Sequence, residues 1–279
     1  MSGPLDGVRV TGGASYTRLE YDSTKDRDAI AGGDSRDEMP LAMASYLAAV
    51  EDLLDGVRHE APAIRTAAEL VASRIAAGGQ VYVFGTGHSH LIALDVFYRA
   101  GGLAPVCPIL DLSLMLHQGA VESTRRERAT GIAPGILGRY RVNPALDCLV
   151  VASNSGKNAV PTEMAETAKA IGLPVISISS FAYAAALGGG GLADVADIAI
   201  DNHCPPGDSI VALDERLPRM APGSTIAGTA ILHSILLCAA ELLVERGVDP
   251  QVYISANMPG GPAHNAQLIE RWRQRNPHL

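Results

Sequence analysis

Five short apolar runs, Gln80 to Phe84, Ala104 to Leu110, Asp147 to Ala152, Pro174 to Ile178 and Asp197 to Asp201, constrain this chain more than any other feature. None alternates apolar with polar residues as a strand with one wet face does, so each suits a strand covered on both faces. Each run leads into a polar turn with Gly or Ser and then into a stretch that can be helical. Parallel strands need such crossovers, because the chain must return to the same end of the sheet before the next strand begins. The pattern predicts an α/β fold, a doubly wound five-stranded parallel sheet flanked by helices.

The flanking segments supply the helices. Leu47, Val50, Leu54 and Val57, then Ile64, Ala67, Ala68, Val71 and Ile75, recur at helical spacing, with Pro62 suited to the first turn of the second helix and Gly78-Gly79 to its end. Ser224 to Val244 is apolar on almost every side, with Ser224 or Thr225 as N-cap, and reads as a helix buried within the fold or between subunits. Asp111 to Pro144 is a long crossover, either a lid or subunit contact or an ordinary amphipathic helix. Residues 1–38 are rich in Gly, Ser, Asp, Thr and Arg without an apolar period and are expected to form a loosely ordered extension; residues 39–279 then make one domain.

Composition removes several classes of function. The net charge is −8 and the Lys and Arg are dispersed, so no basic face is expected for nucleic acid or for anionic lipid. Cys107, Cys148, Cys204 and Cys238 lie far apart with no CxxC pair, as buried thiols in a reducing compartment do. The N-terminus has no basic segment followed by an apolar run, and a cytoplasmic protein is expected.

With the flavodoxin-like strand order 2-1-3-4-5, the order reverses between the first and third strands, and ligands bind outside their carboxyl ends. Two loops fall there. The first, Gly85-Thr86-Gly87-His88-Ser89, has glycines that permit close approach and positive φ beside two hydroxyls. The second, Ser153-Asn154-Ser155-Gly156-Lys157-Asn158, precedes a helix over residues 160–171 and sets hydroxyls and backbone N–H groups at its positive end. Together they read as an anion cradle, against the plainer reading that turns and caps require these residue types. Neither loop has the spacing of a nucleotide-binding glycine motif. Lys157 adds either a point charge for phosphate or a solvated side chain.

The loops, in this order and context, resemble the SIS (sugar isomerase) family of phosphosugar-binding domains. The resemblance covers roughly residues 40–250 and is sharpest in Val81 to Gly102 and Leu149 to Pro161. It implies that Thr86, Ser89, Ser153, Asn154, Ser155 and Asn158 hold a sugar phosphate; Gly87, Lys157 and Ser179 are further candidate substrate contacts, no cofactor is expected, and a homo-oligomer, dimer or tetramer, is the expected assembly. The chain is most similar to bacterial members described as sugar or phosphoheptose isomerases, and Ser224 to Ala230 is similar to a helix of the N-acetylmuramic acid 6-phosphate etherases. Known members move a proton with a glutamate, commonly on the helix after the first loop. Here the matching positions are Tyr98 and Arg99, neither of them a carboxylate.

Isomerisation and etherase chemistry both begin by removing a proton beside a carbonyl, so both need a base and an acid. Glu122 in the long crossover is the first candidate base, against a solvated partner for Arg125 or Arg126; Asp95 is second and Glu163 third. His88 inside the first loop and His233 on the apolar C-terminal helix are the candidate acids, with His90, His117, His264 and Asn265 in reserve. His88-Ser89-His90 lacks a third ligand for zinc, and no metal is expected. Pro205 to Ser209 is either a cover over the sugar or a rigid turn. The leading expectation is an aldose–ketose isomerase acting on a sugar phosphate; the alternatives are a non-catalytic sensor and an etherase-type lyase.

Overall fold

The computed structural model describes residues 10–11, 18–19 and 39–279. The extension expected over residues 1–38 therefore lies almost wholly outside the described residues. The chain forms two compact units, Met1–Ala44 and Ser45–Leu279. In the first, Val10–Thr11 pairs antiparallel with Arg18–Leu19.

In the second unit five strands lie parallel: β1 (Val81–Gly85), β2 (Val106–Ile109), β3 (Cys148–Ala152), β4 (Val175–Ser179) and β5 (Ile198–Asp201). Their order across the sheet is β2-β1-β3-β4-β5, the 2-1-3-4-5 arrangement expected from the sequence. The register is continuous, since Gly85 pairs with Ala152, Ala152 with Ile178, and Ile178 with Ile200. Strands β1 to β4 are buried along their whole length, which is why their sequences do not alternate.

Helices cover both faces. The helices α1 (Leu41–His59), α2 (Ala61–Ala76), α3 (His90–Asp95) and α9 (Ser224–Glu245) pack on one face against Val81, Val83, Val150 and Ile176. Tyr82, Phe84, Leu149 and Val151 face the other way, toward α5 (Ala133–Leu137), α6 (Ala159–Ala170) and Leu192 of the short α8 (Leu192–Val195). Each fully buried Ile or Leu in these layers contributes about 1.5–3 kcal/mol of transfer free energy. The remaining helices are α4 (Ala120–Arg126), α7 (Phe181–Ala186) and α10 (Gly261–Trp272). Burial pushes the thiols of Cys148 and Cys204 up to about 12, and that of Cys107 up as well, so these three cysteines are inert fillers.

Several local expectations change. Helix α3 ends at Asp95, and Tyr98 beyond it has φ +46°, so Tyr98 and Arg99 lie off the helix on which the resemblance aligned them. The residue before α9 is Gly223, not Ser224 or Thr225, and the cap comes from elsewhere: Asp208 accepts from the Gly223 and Ser224 amides and from the Ser224 hydroxyl. Pro205 to Ser209 is therefore a turn that delivers a capping carboxylate, and it leads into a short antiparallel ladder of β6 (Ser209–Val211) and β7 (Met220–Pro222). His264 and Asn265, expected in a loop, lie in the first turns of α10.

Candidate phosphate-binding site at the carboxyl edge of the sheet

Because the register is continuous, the residues one past the strand pairs form a row along the carboxyl edge. Thr86 and Ser153, just past β1 and β3, and Ser179, the last residue of β4, follow the paired Gly85, Ala152 and Ile178, and all three are buried. Neighbouring strands lie roughly 4.8 Å apart, so the three residues span about 10 Å of this edge with Ser153 in the middle. The Ser179 hydroxyl is fully enclosed and has no partner. It lies close to Gly156, where a β-carbon would stand 3.5 Å from that oxygen.

The second loop is a rigid cradle whose donors are only partly used. Asn154 is fixed on both sides: its carbonyl accepts from the Ser180 amide at 2.8 Å, and its Oδ1 from Asn202 Nδ2 at 2.9 Å. Asn154 thus braces the loop with its side chain. The Ser153 hydroxyl, the Asn158 side-chain amide and the backbone N–H groups of Asn154, Ser155 and Asn158 have no protein partner among the described residues. They surround the first turn of α6, a twelve-residue helix whose end carries partial positive charge. Lys157 does not face the crevice. Its Nζ donates to the Gly189 carbonyl at 2.5 Å, across a run of four positive-φ glycines, Gly188 to Gly191.

The first loop is drawn tight by its own backbone. Gly87 has φ +53°, the buried His90 ring nitrogen Nδ1 bonds the Gly87 carbonyl, and the Ser89 amide donates to the Thr86 carbonyl. His90 is thereby a loop fastener, with the exposed His117 ring 6.0 Å from its own. The Ser89 hydroxyl and the exposed His88 ring have no partner among the described residues and are open to a ligand.

The carboxylates are distributed differently from the expectation. Glu122 lies on the exposed face of α4 in a bidentate pair with Arg125, whose guanidinium holds its carboxyl below the usual range. Asp95 sits between Arg99 at 2.5 Å and His233 Nε2 at 2.7 Å, so two residues considered for catalysis are brought together, but with each other. Glu163 accepts from the amides of Gly131, Ile132 and Ala133 and caps α5. His264 bonds the Val252 carbonyl, and Asn265 clamps both the amide and the carbonyl of Ile254.

One carboxylate missing from the sequence reading reaches the first loop. Glu127, just past α4, accepts the Thr86 hydroxyl at 2.8 Å on Oε2, and that oxygen lies 3.5 Å from where a β-carbon on Gly87 would be. Its own carbonyl accepts from the Val160 amide in the first turn of α6 at 3.0 Å. The long crossover thus bridges the two loops through a single residue. Among the described residues no group of three or more His, Cys, Asp and Glu is arranged to hold a metal.

Residues 45–180 match the family described as SIS domain. The chain is 44% identical over 229 residues to a UPF0309 protein of Brucella canis, an alignment covering 81% of this chain and 94% of that protein. Solved structures that align with it include a phosphoheptose isomerase of Francisella tularensis, 20% identical with a TM-score of 0.46, covering 75% of this chain and all of that one. The phosphoheptose isomerase of Neisseria gonorrhoeae aligns over 71% of this chain and 96% of its own, at 16% identity and a TM-score of 0.47.

Proposed function

The chain belongs to the UPF0309 family and carries an SIS domain over residues 45–180, and on that premise we propose that its two loops bind a phosphorylated sugar and isomerise it. One observation supports this above the rest. The Ser153 hydroxyl and the unused amides of Asn154, Ser155 and Asn158 lie in the loop that leads into the N-terminus of α6, near the enclosed and unpartnered Ser179 hydroxyl. Oriented neutral donors around a helix N-terminus favour a phosphate dianion in a protein whose net charge of −8 gives it no long-range attraction. The sugar then extends toward the first loop, where the Ser89 hydroxyl and the His88 ring are open to it.

Replacing Ser153 and Ser155 together with Ala tests the anchoring. Two charge-assisted hydrogen bonds are lost without a core cavity, so sugar phosphate affinity is expected to fall by about 3 kcal/mol or more, roughly 10²-fold, while stability falls by no more than about 1 kcal/mol for the bond the Lys157 amide donates to Ser155 Oγ. Calorimetric titration with hexose, heptose and amino-sugar phosphates reads this, and equal affinity in the variant overturns the assignment. A second reading, a sensor that holds the sugar without turning it over, draws support from Asp95 and Glu122, both taken up in ion pairs. Binding without solvent deuterium incorporation into any bound sugar favours the sensor; release of lactate from N-acetylmuramic acid 6-phosphate favours a lyase instead.

A further inference from the structure

The carboxylates weighed for the reaction differ in how completely the fold uses them. Asp95 is held by Arg99 and His233, Glu122 by Nε and Nη2 of Arg125, and Glu163 by three backbone amides. Nearby Asp111 is held by Ser113 and Arg139. Glu127 alone of this group has no cation and no amide on its carboxylate. Its one partner is the Thr86 hydroxyl, which occupies Oε2 and leaves Oε1 without a protein partner among the described residues. A half-buried carboxylate without a counter-charge is costly to keep unless something else uses it. Its backbone is pinned by the Val160 amide, so the side chain hangs from a fixed point between the two loops.

Resting on the phosphosugar reading above, we propose that Glu127 is the catalytic residue that moves the proton between the first two sugar carbons, and that Thr86 positions it. With an open-chain aldose phosphate anchored at the second loop, Oε1 takes the proton from C2. The C2–H bond breaks, its electron pair forms the C1=C2 bond, and the carbonyl pair moves onto O1, which takes a proton from water. Glu127 then returns its proton to C1 while O2 gives its hydroxyl proton to water and becomes the ketone oxygen. Protons taken and returned balance over the turnover, and no co-reactant is needed. The Thr86 hydroxyl fixes the rotation of the carboxylate, so that the same oxygen addresses both carbons.

The experiment is deuterium exchange from D2O into a panel of pentose, hexose, heptose and 2-amino-sugar phosphates, run beside calorimetric binding of the same compounds. Glu127→Gln keeps size and hydrogen bonding but removes the base; it is expected to bind like the wild type and to lose about 10²-fold or more in exchange. Glu127→Asp, which retains the carboxylate on a shorter stem, is expected to keep part of the rate and serves if the Gln variant does not fold. Thr86→Val is expected to lower kcat roughly tenfold with KM unchanged, and Thr86→Ser to restore it. Glu122→Gln is expected to exchange at the wild-type rate. Wild-type exchange in Glu127→Gln overturns the proposal and leaves the binding site standing. A wild type that binds sugar phosphates but exchanges none overturns it too, whereas a wild type that binds none removes the phosphosugar reading itself.

Discussion

A β-carbon on Gly85 would lie 2.4 Å from the carbonyl oxygen of Ser89, a backbone atom that cannot rotate away. The glycines of the first loop are legible in the sequence as places of close approach, but what approaches Gly85 is the loop's own returning chain. Gly85→Ala is therefore expected to displace the turn that carries Thr86 and Ser89, at about 1–3 kcal/mol of stability and with loss of sugar phosphate binding. An intact affinity in that variant would show that the loop's path is not required. Past the neighbouring strand β2, burial alone would raise the carboxyl of Asp111, yet hydrogen bonds from Ser113 and Arg139 overcome burial and hold it below its ordinary value. A depressed folded-state pKa adds stability above the unfolded value that is lost as pH falls through the folded one. Asp111→Asn should thus lower stability by about 1–2 kcal/mol at neutral pH. The gap from wild type should close as pH drops below the usual carboxylate range, and urea melts across pH measure it. Glu127 was beyond the reach of sequence for a geometric reason: at 100° per residue it lies roughly 140° around a helix from Glu122. Nothing in the polar segment from Ala120 to Arg128 says which of the two faces turns inward.

At the scale of elements, the strands were legible because burial on both faces removes alternation; β2, β3 and β5 fall within the apolar runs that announced them, and β1 and β4 run one residue past theirs, to Gly85 and Ser179. The short pieces were not. β6 and β7 have three residues each, too few to show a period, and α10 has an amphipathic but largely polar sequence that reads as a loop behind Gly260-Gly261-Pro262. That helix has a clear task in the structure. It packs Leu268 and Trp272 against Ala104 and Tyr253 and leads to a C-terminal strap across edge strand β2, where Asn276 donates to the Val106 carbonyl. Arg275 grips both oxygens of Asp147, a fully buried carboxylate beside the start of β3. Because removing one partner of a buried pair strands the other charge, Arg275→Met is expected to destabilise by about 3 kcal/mol or more. Urea denaturation tests it, and a loss under about 1 kcal/mol would mean that the amides of Gln80 and Asn143 satisfy Asp147 unaided.

At the scale of the whole molecule, α9 is the element left unfinished. It is apolar on most sides, with a mean hydropathy of 1.9 over an 18-residue stretch, yet only 44% of that stretch is buried. Its inner face, from Ala227 through Ile231, Ile235 and Leu243, is fully covered by α2 and α3, as those apolar residues require. The outer stripe runs through Ala230, His233, Leu237, Ala240 and Val244 at alternating spacings of three and four, with Leu237 73% and Val244 51% exposed. Leu91, Leu94 and Tyr98, on and just past α3, are exposed as well, and the Asp95–Arg99–His233 cluster carries both signs of charge. A stripe of that period suits a second helix of the same kind, and a patch with both signs can complement itself across a two-fold axis. The chain is therefore expected to be a dimer or a larger even assembly through α9. In such an assembly each substitution counts twice: Leu237→Lys removes about 1.5–3 kcal/mol of burial from each subunit, or 3–6 kcal/mol in all, which raises the dissociation constant by roughly 10²–10⁴. Light scattering across a concentration series measures this directly. A wild type that stays monomeric at about 100 μM, or a Leu237→Lys protein that associates as the wild type does, would show that α9 meets water alone.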